Sequence, residues 1–241
     1  MVPSDPLTST RALRAVAEIA FGYALILITI WSPMPTRNYY ALAAAFWIGG
    51  AILLSRLGGE RRFVLRDVFR DLGRCSWAML ISFAAAACFV ALSAHLGTLH
   101  FDSGLTTQRP PLLGYLIWSL LQQVVLQLFL MTRLLLLLRR PWVAIAVASL
   151  LFSAAHVPNP LLTLATLLWG ATACWLYLRY RSLIGVASIH FVLGACLAIS
   201  VPSTLHRNMR VGLGYLHYHA PSRARVLVPL TTGVAPVAVP R

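Results

Sequence analysis

Seven long apolar stretches, separated by short clusters of arginine, dominate this sequence. A helix needs roughly 20 predominantly apolar residues to cross the hydrocarbon core of a bilayer. Only 11% of the residues are charged, whereas an ordinary soluble domain has about 25%. The chain therefore has too little polar surface for a water-soluble globule. The stretches predict an all-α, polytopic transmembrane helix bundle.

The predicted spans follow one another with short connections. Their ranges are about 13–32, 38–55, 76–95, 111–138, 142–157, 160–178 and 183–202. The fifth ends at the Pro158-Asn159-Pro160 break, because the two prolines terminate one helix and begin the next. We therefore predict seven spans, or eight if a segment near 211–218 or 225–239 re-enters the membrane.

The arginine clusters predict the orientation of the bundle, since short loops rich in arginine remain on the cytoplasmic side. All 20 basic residues are arginines, and most of them precede the first span or lie between spans 2 and 3, 4 and 5, or 6 and 7. We expect an integral protein of a bacterial cytoplasmic membrane with a cytoplasmic N-terminus. The arginine-rich tail contradicts this bias if it is exported, which leaves the eighth span open.

Composition divides the chain into three regions. Residues 1–110 hold three spans and a basic, amphipathic loop at 56–75, whose apolar face suits the headgroup region of a membrane. Residues 111–202 hold the spans that contain polar side chains, and 203–241 form a basic tail. The basic loop predicts contact with membrane lipids. Arginines placed between apolar spans argue against a nucleic-acid partner.

Glu18 and Arg133 are charged side chains within predicted spans. Glu18 follows Arg14 by four residues, which predicts an i,i+4 ion pair near the cytoplasmic face. Arg133 is close enough to the end of its span, at Arg139 and Arg140, for its side chain to snorkel to the interface. We expect structural roles for both.

Amide and imidazole side chains also occur in the apolar spans, where a polar group needs a partner or a function. The fourth span contains Gln122, Gln123 and Gln127, at a spacing that allows the three amides to share one helical face. His156 ends the fifth span, and His190 lies inside the seventh. Interhelical hydrogen bonding is one explanation of the glutamines, and an interfacial helix cap is one explanation of His156.

The order of these polar positions resembles the CPBP family, which contains type II CAAX prenyl endopeptidases and bacteriocin-processing membrane proteins. The family has a Glu-Glu-x-x-x-Arg motif, then Phe-x-x-x-His, then His-x-x-x-Asn/Asp. The matching residues here are Gln122, Gln123 and Gln127, then Phe152 and His156, then His190 and Gly194. The resemblance covers roughly residues 111–200.

The resemblance implies an intramembrane endopeptidase that acts on membrane-anchored peptides or proteins. Two imidazoles and amide oxygens form a poor zinc site, so we expect no cofactor or metal. Glutamine keeps the shape of glutamate but cannot accept a proton, and no acidic residue follows Asp102. His156 and His190 are therefore the candidate general bases of the matched region. Gln122, Gln123 and Gln127 are the candidate donors to the oxyanion.

Two other functions stay open. The first is a pseudo-peptidase that binds a membrane peptide or lipid without cleaving it, because Gln122 and Gln123 replace the catalytic glutamates of the family. The second is a small transporter or channel whose polar path is lined by buried glutamine and histidine. The sequence contains no duplication of two related halves, which argues against the second.

Overall fold

The computed structural model describes residues 6–57, 65–101 and 111–219, and every regular element in these ranges is helical. The first three helices are α1 (Pro6–Trp31), α2 (Thr36–Leu57) and α3 (Leu65–His95). The predicted fourth span consists of α4 (Pro111–Gln123), a π-helix (Val124–Met131) and α5 (Thr132–Leu137). The prediction of an all-α fold is confirmed.

The remaining chain forms three longer helices and a short C-terminal segment. The longer helices are α6 (Pro141–Ala154), α7 (Pro160–Tyr180) and α8 (Leu183–Ser200). After them come α9 (Ser203–His206), a 3₁₀ turn (Arg207–Met209) and α10 (Gly212–Leu216).

Local sequence explains the sharp boundaries around α7 and α8. Proline begins both α6 and α7, where its fixed φ suits the first turn and its missing N–H is not needed. The Asn159 side chain caps α7 by accepting a hydrogen bond from the Leu162 N–H at 3.2 Å. Ser182 caps α8 in the same way, from the Gly185 N–H at 3.1 Å.

Six helical stretches of the described residues are long and apolar enough to cross a membrane. They coincide with six of the seven predicted spans. The predicted span 142–157 corresponds to α6, which has only 14 residues because the chain turns before Pro160. Large apolar side chains such as Phe46, Leu80 and Leu168 are exposed on the outside of the bundle, as lipid contact requires.

The bundle is built from helix pairs around the π-helix. Helix α6 packs along α7, α3 and α4 pack along α8, and α1 packs along α2. The π-helix contacts α2, α6 and α7, and its Leu126, Phe129 and Met131 side chains are buried in the main core cluster. The fourth predicted span therefore lies at the centre of the molecule.

The prediction that Arg133 snorkels is wrong. Its side chain is buried, and its Nε donates to Glu18 Oε2 at 2.8 Å. The guanidinium also donates to the Leu128 and Phe129 carbonyls of the π-helix, both at 3.2 Å. Arg133 stays inside because the bundle offers it a carboxylate and carbonyl acceptors. Glu18 also forms the predicted pair with Arg14, at 2.7 Å.

Several predictions fall partly or wholly outside the described residues. They concern residues 58–64 of the amphipathic loop, residues 102–110, and the tail from 220 onward, including the possible re-entrant segment 225–239. The other possible re-entrant segment, 211–218, contains α10, and its five residues are too few to cross a bilayer.

Candidate active site

The π-helix begins directly after Gln123 and contains Gln127. Both side chains are fully buried, and Gln127 Nε2 donates to Gln123 Oε1 at 3.2 Å. Gln127 Nε2 also lies 3.8 Å from Cys174 Sγ on α7. A π turn widens the helix by one residue and is frequent at functional sites. Here it accompanies a pair of buried amides that point in one direction.

Gln123 connects this pair to the histidine of α8. Its Nε2 lies 3.1 Å from His190 Nδ1. Because an amide NH₂ group can only donate, Nδ1 is the acceptor of this bond. A neutral imidazole that accepts at Nδ1 carries its proton on Nε2. His190 therefore presents an N–H at Nε2.

His156 has the opposite arrangement. Its Nδ1 lies 2.7 Å from the Phe152 carbonyl oxygen, one turn earlier in the chain. A carbonyl can only accept, so Nδ1 carries the proton and Nε2 holds a lone pair. The two histidines of the sequence motif are thus fixed in different tautomers by their partners. One Nε2 can donate a hydrogen bond, and the other can accept a proton.

Aromatic rings hold the two imidazoles close together. The Phe152 ring centroid lies 5.0 Å from that of His156 and 6.0 Å from that of His190, in both cases edge to face. The indole of Trp169 lies 5.8 Å from His190. Both histidines are buried, and the bond from His156 Nδ1 to the Phe152 carbonyl also caps the last turn of α6.

Two polar atoms of this region have no hydrogen-bond partner in the described part of the chain. They are Gln127 Oε1 and Trp169 Nε1, an acceptor and a donor. Unsatisfied buried groups are rare in proteins, and each calls for an explanation such as a water or a ligand. Gln122 differs from its neighbours: it is half-buried and takes no part in the Gln127–Gln123–His190 chain of hydrogen bonds.

A comparison with protein families matches residues 110–196 to the model described as type II CAAX prenyl endopeptidase Rce1-like. Residues 110–196 form an Rce1-like domain. The predicted resemblance to the CPBP family is confirmed for this region, which contains all five candidate site residues. No curated protein and no solved structure matches the chain.

The Rce1-like domain contains no acidic side chain, because the last one in the sequence is Asp102. Glu18 is the buried carboxylate of α1, and both of its oxygens are held by arginines, Oε1 by Arg14 and Oε2 by Arg133. Among the described residues no three His, Cys, Asp or Glu side chains gather where they could hold a metal ion. The candidate acid–base groups within the Rce1-like domain are therefore His156 and His190.

An apolar groove of about 420 Å³ runs beside the Rce1-like site, between α3, α7 and α8. Trp77, Trp175 and Leu193 line it, together with Trp169. Trp169 is therefore shared between the groove and the His190 ring. Sequence reasoning did not assign this role to Trp169, since a tryptophan in an apolar helix is also typical of lipid contact.

Proposed function

We propose that the Rce1-like domain hydrolyses a peptide bond in membrane-anchored peptides or proteins. The family match gives the class of reaction. The observation that carries the proposal is the pair of Nδ1 partners, an amide nitrogen at His190 and a carbonyl oxygen at His156, from which we infer a donor at His190 Nε2 and a proton acceptor at His156 Nε2. Hydrolysis of an amide needs both, a base for the water and a donor for the oxyanion.

The proposed reaction begins with a water molecule that transfers a proton to His156 Nε2 while its oxygen bonds to the scissile carbonyl carbon. The carbonyl electron pair moves to the oxygen, and His190 Nε2–H donates a hydrogen bond to the resulting oxyanion. When the C–N bond breaks, His156 returns the proton to the leaving nitrogen. The histidine that acts as base thus ends the cycle in its starting state.

The glutamines have two different tasks in this proposal. One N–H of Gln123 faces His190, and the NH₂ group of Gln127 faces Gln123 and Cys174. Both therefore act as positioning residues that hold the proton of His190 on Nε2. Gln122 lies outside this chain of hydrogen bonds, and its amide is the one proposed to donate to the substrate.

The proposed substrate reaches the site from the bilayer. The groove between α3, α7 and α8 is apolar, and its Trp169 wall contacts the His190 ring. An apolar chain that anchors a peptide in the membrane suits such a lining. We also propose that the protein lies in a bacterial cytoplasmic membrane with its N-terminus in the cytoplasm. In this proposal α6 is a seventh crossing.

A second candidate function is a pseudo-peptidase that binds a membrane peptide or lipid. It is favoured by the partner of His156, which is a backbone carbonyl and not a carboxylate. A histidine base without an orienting carboxylate is weak, because no negative charge stabilises the imidazolium. The same cavity would then hold a peptide without cleaving it.

A cleavage assay separates the two functions. Purified protein in liposomes is incubated with farnesylated and transmembrane peptides, beside His156→Ala, His190→Ala and the double variant Gln122→Glu/Gln123→Glu. His217→Ala is the matched control, because that histidine is exposed in the C-terminal segment. We expect wild type and the control to cleave and both site variants to lose activity. Cleavage by the double variant alone would establish the pseudo-peptidase.

A further inference from the structure

Gly194 lies one helical turn after His190 on α8, and the structure shows why this position has no side chain. A Cβ atom there would overlap with the hydroxyl oxygen of Tyr115 and would lie 2.9 Å from its Cζ. These separations are too short for real contacts, so a larger residue would displace the ring. The hydroxyl of Tyr115 thus occupies the volume that the side chain of residue 194 would fill.

Tyr115 belongs to α4, the helix that also provides Gln123. Helices α4 and α8 pack along each other, so the two helices each contribute two positions to one area. Gln123 contacts His190, and Tyr115, eight residues earlier on α4, contacts Gly194 one turn further along α8. The Tyr115 ring is half-buried, and it packs against Phe191 with a centroid separation of 5.9 Å.

The polar hydroxyl of Tyr115 differs from the apolar side chains on the outward faces of α4. The outward faces of α4 carry exposed leucine, isoleucine and tryptophan. The hydroxyl of Tyr115 instead lies against the α8 backbone, with the buried Ser119 beside it on the next turn of α4. Ser119 is a hydrogen-bond partner of this hydroxyl. When the Ser119 hydroxyl donates to the Tyr115 oxygen, the Tyr115 O–H proton is available for a substrate carbonyl near His190.

We propose that the Tyr115 hydroxyl is a further donor to the substrate carbonyl, beside His190 Nε2–H and the Gln122 amide. This inference rests on the proposed function for its catalytic part. In the step described above, the Tyr115 O–H donates a hydrogen bond to the oxyanion together with His190 Nε2–H. Tyr115 keeps its proton throughout, so the atom balance of the reaction is unchanged.

The alternative is a purely structural tyrosine that fills the space over a glycine. Tyr115→Phe separates the two, because it removes the hydroxyl and keeps the ring against Phe191. We expect this variant to lower kcat about 100-fold, within the range found when one oxyanion donor is removed. KM and the thermal unfolding midpoint should stay close to wild type. A wild-type kcat in this variant would overturn the inference.

A pair of exchanges provides the rescue test. Gly194→Asn alone forces the amide into the tyrosine ring, and we expect it to unfold at lower temperature. Tyr115→Leu alone should fold and lose activity. Tyr115→Leu/Gly194→Asn provides both the space and a new donor, so its kcat should exceed that of Tyr115→Leu at least tenfold. Equal rates for these two variants would contradict a donor at this place.

A binding measurement keeps this inference distinct from the proposed function. The probe is a farnesylated, fluorescein-labelled peptide aldehyde, and its Kd is measured by fluorescence anisotropy. We expect Tyr115→Phe to weaken binding about tenfold, even if wild type cleaves no peptide; that result would reject the peptidase and retain the Tyr115 contact. Cleavage by wild type with unchanged kcat and Kd in Tyr115→Phe would reject Tyr115 alone. Neither cleavage nor an effect on Kd would reject both.

Discussion

Gln123 donates a hydrogen bond to His190 Nδ1 across the interface of α4 and α8, at 3.1 Å. A glutamate at this position would accept a hydrogen bond from Nδ1–H and leave a lone pair on Nε2. The amide does the reverse and places the proton on Nε2. A glutamine at position 123 therefore removes the lone pair from His190 Nε2. The base of the proposed mechanism is accordingly His156.

Gln127 is expected to be more important for activity than for stability. Gln127→Leu removes the donor to Gln123 Oε1, but it also removes a buried carbonyl oxygen that has no partner in the described part of the chain. Leaving one buried acceptor unsatisfied costs about 1–3 kcal/mol. The exchange removes one unsatisfied acceptor, Gln127 Oε1, and leaves another, Gln123 Oε1, without its donor. The thermal midpoint should hardly change, whereas kcat should fall because Gln123 loses its fixed orientation. A large loss of stability with normal kcat would contradict this.

The Glu18–Arg133 pair is expected to stabilise the bundle strongly. It joins α1 to α5, directly after the π-helix, and both side chains are buried. Breaking a buried pair by removing one partner costs about 3–5 kcal/mol. Glu18→Gln should therefore lower the free energy of unfolding by about 3 kcal/mol or more, measured by denaturant titration in detergent micelles.

Arg14→Ala is the matched control for that measurement. Arg14 also binds Glu18, but its side chain is 56% exposed. Exposed ion pairs contribute about 1 kcal/mol or less. Glu18→Gln/Arg133→Met should also cost less than the sum of its two single variants, since residues in direct contact are not additive. Equal losses for Arg14→Ala and Glu18→Gln would show that the buried pair has no special role.

Asn159 is expected to fasten the C-terminal segment to the α6–α7 turn. Its Nδ2 donates to the carbonyls of His206 at 2.8 Å and Arg210 at 3.0 Å, while its Oδ1 caps α7. Asn159→Ala removes these bonds together. We expect faster cleavage by trypsin after Arg207 and Arg210 in the folded protein, with Asn38→Ala, an exposed position on α2, as the control. Unchanged protection would mean that other contacts hold the segment.

His206 is expected to make stability depend on pH. Burial lowers the pKa of its imidazole below the usual value, and the charge of nearby His100 lowers it further, although the bond to the Val201 carbonyl opposes the shift. The unfolded state, with a pKa of about 6.5, therefore binds the proton more readily than the folded state does. The contribution of His206 is complete above about pH 6.5 and is lost as the pH falls below it.

The hydrogen bonds of His206 give the physical reason for this direction. Nδ1 accepts from the Met209 N–H at 3.0 Å, so a proton on Nδ1 would break that bond. The thermal midpoint of the wild type should fall between pH 7.5 and pH 5.5. His206→Gln should show a smaller fall over the same range. An equal pH dependence of the two proteins would assign the effect to other groups.

Most helices could be predicted from the sequence, because apolar runs bounded by arginine or proline leave few alternatives in a bilayer. The predicted spans 160–178 and 183–202 differ from α7 and α8 by no more than two residues at each end. The position of span 142–157 could be predicted, but its length could not, because the turn that precedes Pro160 begins before the apolar run ends. The π-helix could not be predicted, because its apolar residues are equally compatible with an α-helix.

The sequence could select candidate residues that lie together in the folded chain, but it could not define their proton positions. Spacing and family resemblance were enough to select Gln123, Gln127, His156 and His190. The proton positions depend on partners such as the Phe152 carbonyl and the Gln123 amide, which only the packed helices define. The same is true of Glu18 and Arg133, which are 115 positions apart and meet only in the folded chain.

The most direct test of the account is to locate the imidazole protons of His156 and His190. Protein labelled with ¹⁵N-histidine, in lipid bilayers near neutral pH, gives nitrogen chemical shifts that distinguish Nδ1–H from Nε2–H, with His156→Gln and His190→Gln used for assignment. We predict Nδ1–H for His156 and Nε2–H for His190, and a change of His190 to Nδ1–H in Gln123→Glu. Nδ1–H at both histidines of the wild type would contradict the account, because Gln123 would then accept from His190 and the oxyanion donor would be lost.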